Sequence, residues 1–291
     1  MGKLQALLLV GTVACAAAGA AKAADLPPPP ILEPVPVEPV AFGGWYLRGD
    51  VGVGMASKPA IRSSFDANFS VPNPRFDQER LGDAAFVGAG VGYQFNNWFR
   101  ADVTGEYRTS QSINATQSYD LPPGLASGFT TRGYDQYLGN VQSSVFLANG
   151  YFDLGTWYGI TPFIGAGVGG SYNRITGLTD YGQGGVAEGV GFARDSGKFN
   201  LAYAAHAGLA YAVTPNLKLE LAYRYLNMGD VTSNGIQCQN VGPGGCPHEI
   251  QKYKLEAQDI KLGMRWMFND TLAAAPIMPA YYPPPPLVRK D

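Results

Sequence analysis

The stretch Trp98–Arg108 (WFRADVTGEYR) constrains the fold more than any other part of the chain, because its side chains alternate strictly in character. One set of positions is apolar and the other is mostly charged: Phe99, Ala101, Val103 and Tyr107 against Arg100, Asp102, Thr104, Glu106 and Arg108. A period of two predicts a β-strand with one apolar and one charged face. In a water-soluble sandwich the apolar face would point inward, whereas in a small membrane barrel it meets lipid and the charges fill the interior. The rest of the chain decides between these structures.

Residues 1–23 have the features of a signal peptide, which predicts export. Lys3 provides a positive start, Leu4–Val13 is apolar, and Ala21-Lys22-Ala23 forms a small-x-small cleavage site. We therefore expect the mature protein to begin at Ala24-Asp25. The whole chain has a formal net charge of −2, without the basic patch expected of a nucleic-acid-binding protein.

The composition favours strands and is unusual for a water-soluble domain. Charged residues make up 15% of the chain, well below the roughly 25% typical of soluble domains. Glycine accounts for 38 of 291 residues and aromatic residues for 12%, so the chain is poor in helix formers and rich in strand formers. After the signal peptide, no apolar run approaches the ~18 residues of a membrane-spanning helix, but barrel strands do not need one.

Between two proline-rich segments, residues 24–43 and 269–291, the alternation predicts eight strands. They are Trp45–Met55, Ala84–Phe95, Trp98–Arg108, Tyr137–Tyr151, Ile160–Tyr172, Phe199–Val213, Leu217–Leu226 and Leu255–Phe268. Short turns alternate with four long loops: Lys58–Leu81, Thr109–Gln136, Asn173–Lys198 and Gly229–Gln251. An even number of strands with long loops at one end and short turns at the other is the plan of an outer-membrane barrel. The barrel is predicted to span residues 44–268.

The four tryptophans of the chain, Trp45, Trp98, Trp157 and Trp266, all fall at the short-turn end of this plan. Aromatic side chains at a membrane interface form a belt, whereas a sandwich offers no reason for such segregation. We therefore predict an all-β fold: an eight-stranded antiparallel up-and-down transmembrane β-barrel in the outer membrane of a Gram-negative bacterium.

Two of the predicted strands share a motif, FVGAGVG at Phe86–Gly92 and FIGAGVG at Phe163–Gly169. The similarity indicates equivalent packing, with glycines keeping a crowded interior face open. A phosphate-binding glycine loop is the competing interpretation, but no helix-forming stretch follows either copy.

The predicted inward faces carry a mixture of both charges, which favours a salt-bridged plug. Eight strands enclose an interior that side chains can fill, and buried charges need partners. A gated narrow pore remains the alternative. The predicted charge network consists of Arg48, Asp50, Arg100, Asp102, Glu106, Arg108, Lys218, Glu220, Arg224, Asp259, Lys261 and Arg265.

Candidate catalytic groups do not form a constellation. Asp102 and Glu106 could act as general acid and base, but the neighbouring arginines favour paired, ionised carboxylates. His206 faces the interior from a strand of small residues, and a lone histidine is more often packed than catalytic. We predict no enzymatic activity, no cofactor and no metal site.

The mature chain has two cysteines, Cys238 and Cys246, within CQNVGPGGC. An even number of nearby cysteines in an exported protein predicts a local disulfide, with two free thiols as the alternative. The long loops also contain aromatic residues among Gly, Ser and Asn, which could bind a ligand or partner: Tyr119, Phe129, Tyr134, Tyr181 and Phe192.

The chain resembles the small, porin-like eight-stranded outer-membrane barrels of alphaproteobacteria, which share the fold of the outer-membrane protein A transmembrane domain. The resemblance covers Gly44–Phe268 and is carried by the WYLRGDVGVG opening, the FIGAGVG strand and the Ala24-Asp25 start before a proline-rich tether. Many such barrels end at an aromatic residue. Phe268 fits that place, but the sequence continues to Asp291, which suggests a periplasmic tail.

In several members of that family, the N-terminal Ala-Asp is joined covalently to peptidoglycan. The resemblance therefore implies attachment through the amine of Ala24, with Asp25 beside it. We expect a monomeric structural barrel that stabilises the cell envelope. Its expected partners are outer-membrane lipid and lipopolysaccharide, peptidoglycan and the barrel-insertion machinery. The alternatives are a narrow-pore porin for small solutes, or binding of a ligand or host factor by the surface loops.

Overall fold

The computed structural model describes residues 43–67, 72–121, 132–184, 189–239 and 248–268. The predicted signal peptide, the predicted C-terminal tail and the predicted tether up to residue 42 lie outside these residues, as do Phe129 and Cys246. The described chain contains a 3₁₀ turn (Ser64–Ala67) and twelve strands. In order, the strands are β1 (Gly44–Ala56), β2 (Ile61–Ser63), β3 (Arg75–Leu81), β4 (Ala84–Gln94), β5 (Phe99–Asp120), β6 (Arg132–Asp153), β7 (Ile160–Gln183), β8 (Gly189–Phe192), β9 (Ser196–Ala212), β10 (Leu217–Thr232), β11 (Gln237–Cys238) and β12 (Gln251–Met267).

Eight long strands form a closed antiparallel barrel in the order β1, β4, β5, β6, β7, β9, β10 and β12. The ring closes where β1 pairs with β12, from Tyr46 opposite Met267 to Ala56 opposite Ala257. The predicted eight-stranded up-and-down barrel is therefore confirmed. No helix within the described ranges is both long and apolar enough to cross a membrane.

Exposed apolar side chains form a band around the outside of the barrel. Its members include Leu47, Val51, Val87, Val91, Val103, Ile164, Val168, Leu209, Leu219, Leu221, Ile260 and Leu262. On the side of the long loops, which is the extracellular side in outer-membrane barrels, the exposed apolar face ends at Tyr107 on β5, Phe146 on β6 and Tyr172 on β7. At the short-turn end, the ring of Trp98 stacks on that of Phe152 with centroids 5.8 Å apart. This face has the alternation expected of strands that meet lipid.

Three barrel strands, β5, β7 and β10, continue beyond their predicted ends. Each contains a register shift, after which the inward and outward side chains exchange places. In β5 the shift lies between Arg108 and Gln111, so even-numbered side chains point inward before it and odd-numbered ones after it. Similar shifts occur in β7 near Gly177 and in β10 near Gly229, both of which have positive φ. An extra residue moves every later side chain to the opposite face. The predicted strand ends therefore stopped short, close to the positions where the alternation changes phase.

The barrel interior changes character along its length. Charged side chains fill the part surrounded by the apolar band, but the extracellular part contains packed apolar side chains, among them Ile113, Val141, Val145, Ile175, Leu178, Leu226, Val231 and Leu255. The predicted charge network accordingly occupies only the part of the interior that the apolar band surrounds. Strands that leave the membrane have water outside, so burying their apolar side chains inside becomes favourable.

The predicted long loops are also partly regular structure. The first contains β2, the 3₁₀ turn and β3, and the third contains β8. β3 pairs with the extension of β5, while β8 pairs with β7 and then with β11. The β-sheet of the barrel wall therefore continues beyond the apolar band on the extracellular side.

Candidate functional site

The charged interior is the candidate functional site, and all twelve predicted charges of the network lie there. Ten of them have buried side chains, and Glu106 and Lys218 are half-buried as whole residues. The alternation of each strand places them there, because every second side chain of a strand points to the same face of the sheet. Eleven of them take part in two groups of ion pairs across the barrel, while Lys218 forms no ion pair with a described residue.

The first group is centred on Glu220 of β10, nearer the short-turn end. Its carboxylate oxygens lie 3.2 Å from Arg48, 3.3 Å from Arg100 and 3.2 Å from Arg265. Arg48 also contacts Asp50 at 2.9 Å and Asp102 at 2.7 Å. With Arg100–Asp153 and Lys261–Asp50, the group joins four basic to four acidic side chains. Its formal charge is therefore balanced inside the membrane.

The second group lies further toward the extracellular side and is also balanced. Arg108 and Arg224 share the two carboxylates of Glu106 and Asp259. Arg108 binds Asp259 through both terminal nitrogens, at 3.0 and 2.8 Å. Bidentate pairs of this kind are among the stronger hydrogen-bonded contacts in proteins.

The two phenylalanines of the repeated motif both lie against arginines, each in a different group of ion pairs. The ring of Phe86 lies 5.0 Å from the guanidinium carbons of both Arg108 and Arg224. The centroid of the Phe163 ring lies 4.7 Å from the guanidinium carbon of Arg100. A guanidinium over an aromatic face is attracted by the ring quadrupole, so each motif copy supports one part of the charge network.

Glycines on the same face leave room for these large side chains. A Cβ atom at Gly54 would lie 1.8 Å from Arg108 Nη2, and one at Gly92 would lie 2.3 Å from the ring of Tyr46. The predicted role of glycine in keeping the crowded interior face open agrees with this geometry.

Sequence reasoning missed four interior residues that complete the network: Tyr46, Asn149, Tyr151 and Asp153. Asp153 was assigned to a turn, but it ends β6 and pairs with Arg100 at 3.2 Å. The hydroxyl of Tyr46 and the amide of Asn149 donate to Asp102, at 3.0 and 2.8 Å. Continuing the inward alternation of β6 through Tyr151 would have revealed Asp153.

His206 lies inside the barrel with 5% of its surface exposed. Its Nε2 atom is 3.2 Å from Asn149 Oδ1, and its ring centroid is 5.3 Å from that of Tyr151. These are contacts of a packed histidine. In the described part of the chain, no cluster of three or more His, Cys, Asp or Glu residues could hold a metal ion.

The remaining predicted site residues lie elsewhere. Trp45, Trp98, Trp157 and Trp266 are exposed at the short-turn end. Cys238 ends β11, but Cys246 lies outside the described residues, so the disulfide stays a prediction. Tyr119, Tyr134, Tyr181 and Phe192 lie in strands β5, β6, β7 and β8, and the prediction that they are in loops is wrong.

Comparison with known proteins agrees with this architecture. The model of the family described as "outer membrane protein beta-barrel domain" matches residues 6–268. The chain belongs to this family. It is 31% identical over 278 residues to an uncharacterised protein of Brucella suis, covering 86% of this chain and 93% of the relative. As a member of this family, the protein resides in the outer membrane of a Gram-negative bacterium.

Other family relatives and solved structures are more distant. The outer membrane protein PagN of Salmonella typhimurium is 27% identical over 191 residues, which cover 65% of this chain and 76% of PagN. A putative adhesin of Rickettsia felis is 25% identical over 217 residues, covering 70% of this chain and 82% of the adhesin. The structure of OprG from Pseudomonas aeruginosa has a TM-score of 0.44 at 13% identity, covering 78% of this chain and 97% of OprG.

We predict that Asp259→Asn destabilises the barrel by about 3 kcal/mol, because it leaves Arg108 and Arg224 buried with one carboxylate between them. The measurement is reversible urea unfolding in lipid vesicles. The matched control is Asp230→Asn, which removes a carboxylate of the half-exposed Lys252–Asp230 pair on the same two strands and should change stability by less than about 0.5 kcal/mol. Equal effects of the two substitutions would contradict a stabilising role for the buried network.

Proposed function

We propose that this protein is a structural outer-membrane barrel, closed to solutes, that stabilises the cell envelope. The observation that supports the proposal is the filling of the interior by two balanced groups of ion pairs and then by an apolar cluster. A solute moving through the barrel would have to separate contacts such as Arg48–Asp102 and Arg108–Asp259. Breaking buried ion pairs carries a large free-energy cost because each freed charge is left without a partner.

The closed interior favours a structural role over a porin. Each ion-pair group contains equal numbers of acidic and basic side chains, so neither group attracts anions or cations. Lys218, half-buried near the short-turn end, adds one positive charge outside the two groups. Above them, the packed apolar side chains of the cluster around Ile113, Val141 and Leu255 cannot replace a solute's hydration shell.

We predict that the purified barrel gives no stable unitary current steps in planar lipid bilayers. Insertion is verified separately by protection of the strands from protease, so that silence is not mistaken for failure to insert. Regular steps from properly inserted protein would contradict the closed barrel and favour the narrow-pore porin.

We further propose that the N-terminus joins the barrel to peptidoglycan through Ala24. The resemblance to wall-attached barrels supports this, as does the length of the proline-rich segment 24–43. Such a segment is extended, with ~3.1 Å per residue, and can act as a spacer between membrane and wall.

For this attachment we predict that the protein remains on peptidoglycan sacculi boiled in detergent. Digestion by a muramidase should then release it with a muropeptide mass on Ala24. The control is a variant in which residues 24–40 are deleted, leaving the signal peptide and barrel; this variant should be released by detergent alone. Complete release of the full chain by detergent would exclude covalent attachment.

Recognition at the cell surface is a second candidate function, favoured by the sheet above the apolar band. The neighbouring strands β6, β7 and β8 expose Tyr134, Tyr181 and Phe192, with 42%, 38% and 48% of their surfaces accessible. Register pairs place Tyr134 opposite Gln183 and Tyr181 opposite Gln136, so both tyrosines lie on the outer face. Exposed aromatic side chains among amides can anchor a partner.

For this second function we predict that combining Tyr134→Ala with Tyr181→Ala lowers binding of the bacterium to host cells by tenfold or more. Removing aromatic anchors typically costs about 2 kcal/mol or more of binding free energy. Tyr158→Ala is the control, since Tyr158 is 101% exposed at the short turn between β6 and β7, on the opposite end of the barrel. Unchanged binding by the double variant would exclude this surface as the binding site.

A further inference from the structure

Three carboxyl groups that influence one another electrostatically lie inside the barrel at its extracellular end, away from the charge network. Asp135 lies on β6, Asp180 on β7, and Glu249 lies two residues before the start of β12. Asp180 is opposite Tyr137, and Asp135 is opposite Gly182 in the same pair of strands. These aspartates lie well beyond Phe146 and Tyr172, where the lipid-facing band ends, so the group is outside the membrane.

Glu249 connects three different strands through its hydrogen bonds. Its Oε1 atom accepts from Ser63 Oγ of β2 at 2.5 Å and from Gln251 Nε2 of β12 at 3.1 Å. Its Oε2 atom accepts from the hydroxyl of Tyr137 on β6 at 2.7 Å. With 2% of its surface exposed, Glu249 holds the mouth of the barrel together from within.

The group also contains hydrogen-bonding atoms that have no partner within the described structure. Gln117 of β5 is 1% exposed; its Oε1 atom lies 3.2 Å from the hydroxyl of Tyr137, while its Nε2 atom has no hydrogen bond. Asp180 Oδ1 is likewise buried and without a hydrogen-bond partner. A spare donor and a spare acceptor therefore point into the group, and its hydrogen bonds can rearrange when a proton leaves.

No basic group in the described residues forms an ion pair with these carboxyls, in contrast to the balanced charges deeper in the barrel. The titratable groups that face them are Tyr119 from β5, Tyr137 from β6, Tyr253 from β12 and Asp66 from the 3₁₀ turn. All of these are neutral or negative, so ionised carboxylates at this position would repel one another without compensation.

Burial therefore favours the protonated acids. Loss of hydration, reinforced by Glu249, raises the pKa of Asp135 to about 7. Loss of hydration, reinforced by Asp135 and Glu249, raises the pKa of Asp180 to about 8. The pKa of Glu249 is also raised by burial, against the opposing effect of its hydrogen bonds from Ser63, Tyr137 and Gln251.

We propose that Asp135, Asp180 and Glu249, with Tyr137 and Gln117, form a proton-operated latch at the extracellular mouth of the barrel. When Asp135 and Asp180 carry protons, Glu249 bridges β2, β6 and β12 through its hydrogen bonds and the mouth is closed. When they ionise, uncompensated repulsion loosens the ends of these strands. The membrane-spanning part is held by its own ion pairs and keeps its structure.

The direction of the pH dependence follows from the raised pKa values. An acid whose pKa is higher in the folded state than in the unfolded state stabilises the fold fully below its ordinary pKa, about 3.8 for Asp. That stabilisation is lost as the pH rises through the folded-state values of about 7 and 8. The latch is thus closed in mildly acidic surroundings and released in mildly alkaline ones.

The experiment is hydrogen–deuterium exchange of the full barrel in lipid vesicles at pH 5.5 and 8.5, corrected for the intrinsic effect of pH on exchange. We expect the protection of backbone amides in the extracellular parts of β6, β7 and β12 to fall by about tenfold or more at the higher pH. A tenfold change is what a shift of one pKa unit produces in an equilibrium constant. The segments within the apolar band should retain their protection.

Matched variants separate the latch from a general effect of pH. Combining Asp135→Asn with Asp180→Asn removes both ionisations while keeping the side-chain shape, so protection at pH 8.5 should equal that at pH 5.5. Asp230→Asn, at an exposed ion pair near the same end, should leave the drop intact. A wild-type mouth with pH-independent protection, or a double variant that retains the full drop, would overturn the proposal. Should the double variant fail to insert, the wild-type comparison and Glu249→Gln, for which we expect a reduced drop, decide the question.

Discussion

The structure depends on the need to satisfy every backbone hydrogen bond within the membrane, where water cannot do so. Pairing of β1 with β12 meets this need because it removes the free edges of the sheet. Closure with eight strands produces a narrow interior. Charged side chains that point inward are then enclosed together, and a stable arrangement requires that they neutralise one another. The groups centred on Glu220 and Asp259 do so with equal numbers of acids and bases.

The solvent outside the wall changes where the strands leave the membrane, and the inward side chains change with it. On β5, Arg108 is the last charge of the buried network, while Ile113 and Ala115 belong to the apolar cluster. The register shift between Arg108 and Gln111 lies at this transition. The lower half of the barrel thus has an apolar exterior and charged interior, and the upper half has an apolar interior like that of a water-soluble protein.

These two halves support the two proposed functions separately. The balanced ion pairs favour a closed barrel that serves the envelope mechanically, and the extracellular sheet provides the surface on which recognition would take place. The carboxyls at the extracellular mouth lie in the upper half and form no ion pair with a basic group among the described residues. Their protonation can therefore affect the extracellular sheet without disturbing the membrane-spanning part, because Glu220 and Asp259 are neutralised independently.

The sequence by itself determined the barrel, its strand number and the inward positions of all twelve predicted charges, because alternation of period two is a local property that survives wherever one face meets lipid. It also drew attention to Phe86 and Phe163 through their repeated motif, and both rings lie against buried arginines. The extents of β5, β7 and β10 were decided only by the tertiary structure, because a bulge reverses the alternation and its position depends on the neighbouring strand. The partners of each charge, the inclusion of Asp153 and the meeting of Asp135, Asp180 and Glu249 likewise required the closed barrel. These contacts join residues that are distant in sequence, and only the strand register around the closed barrel brings those residues close together.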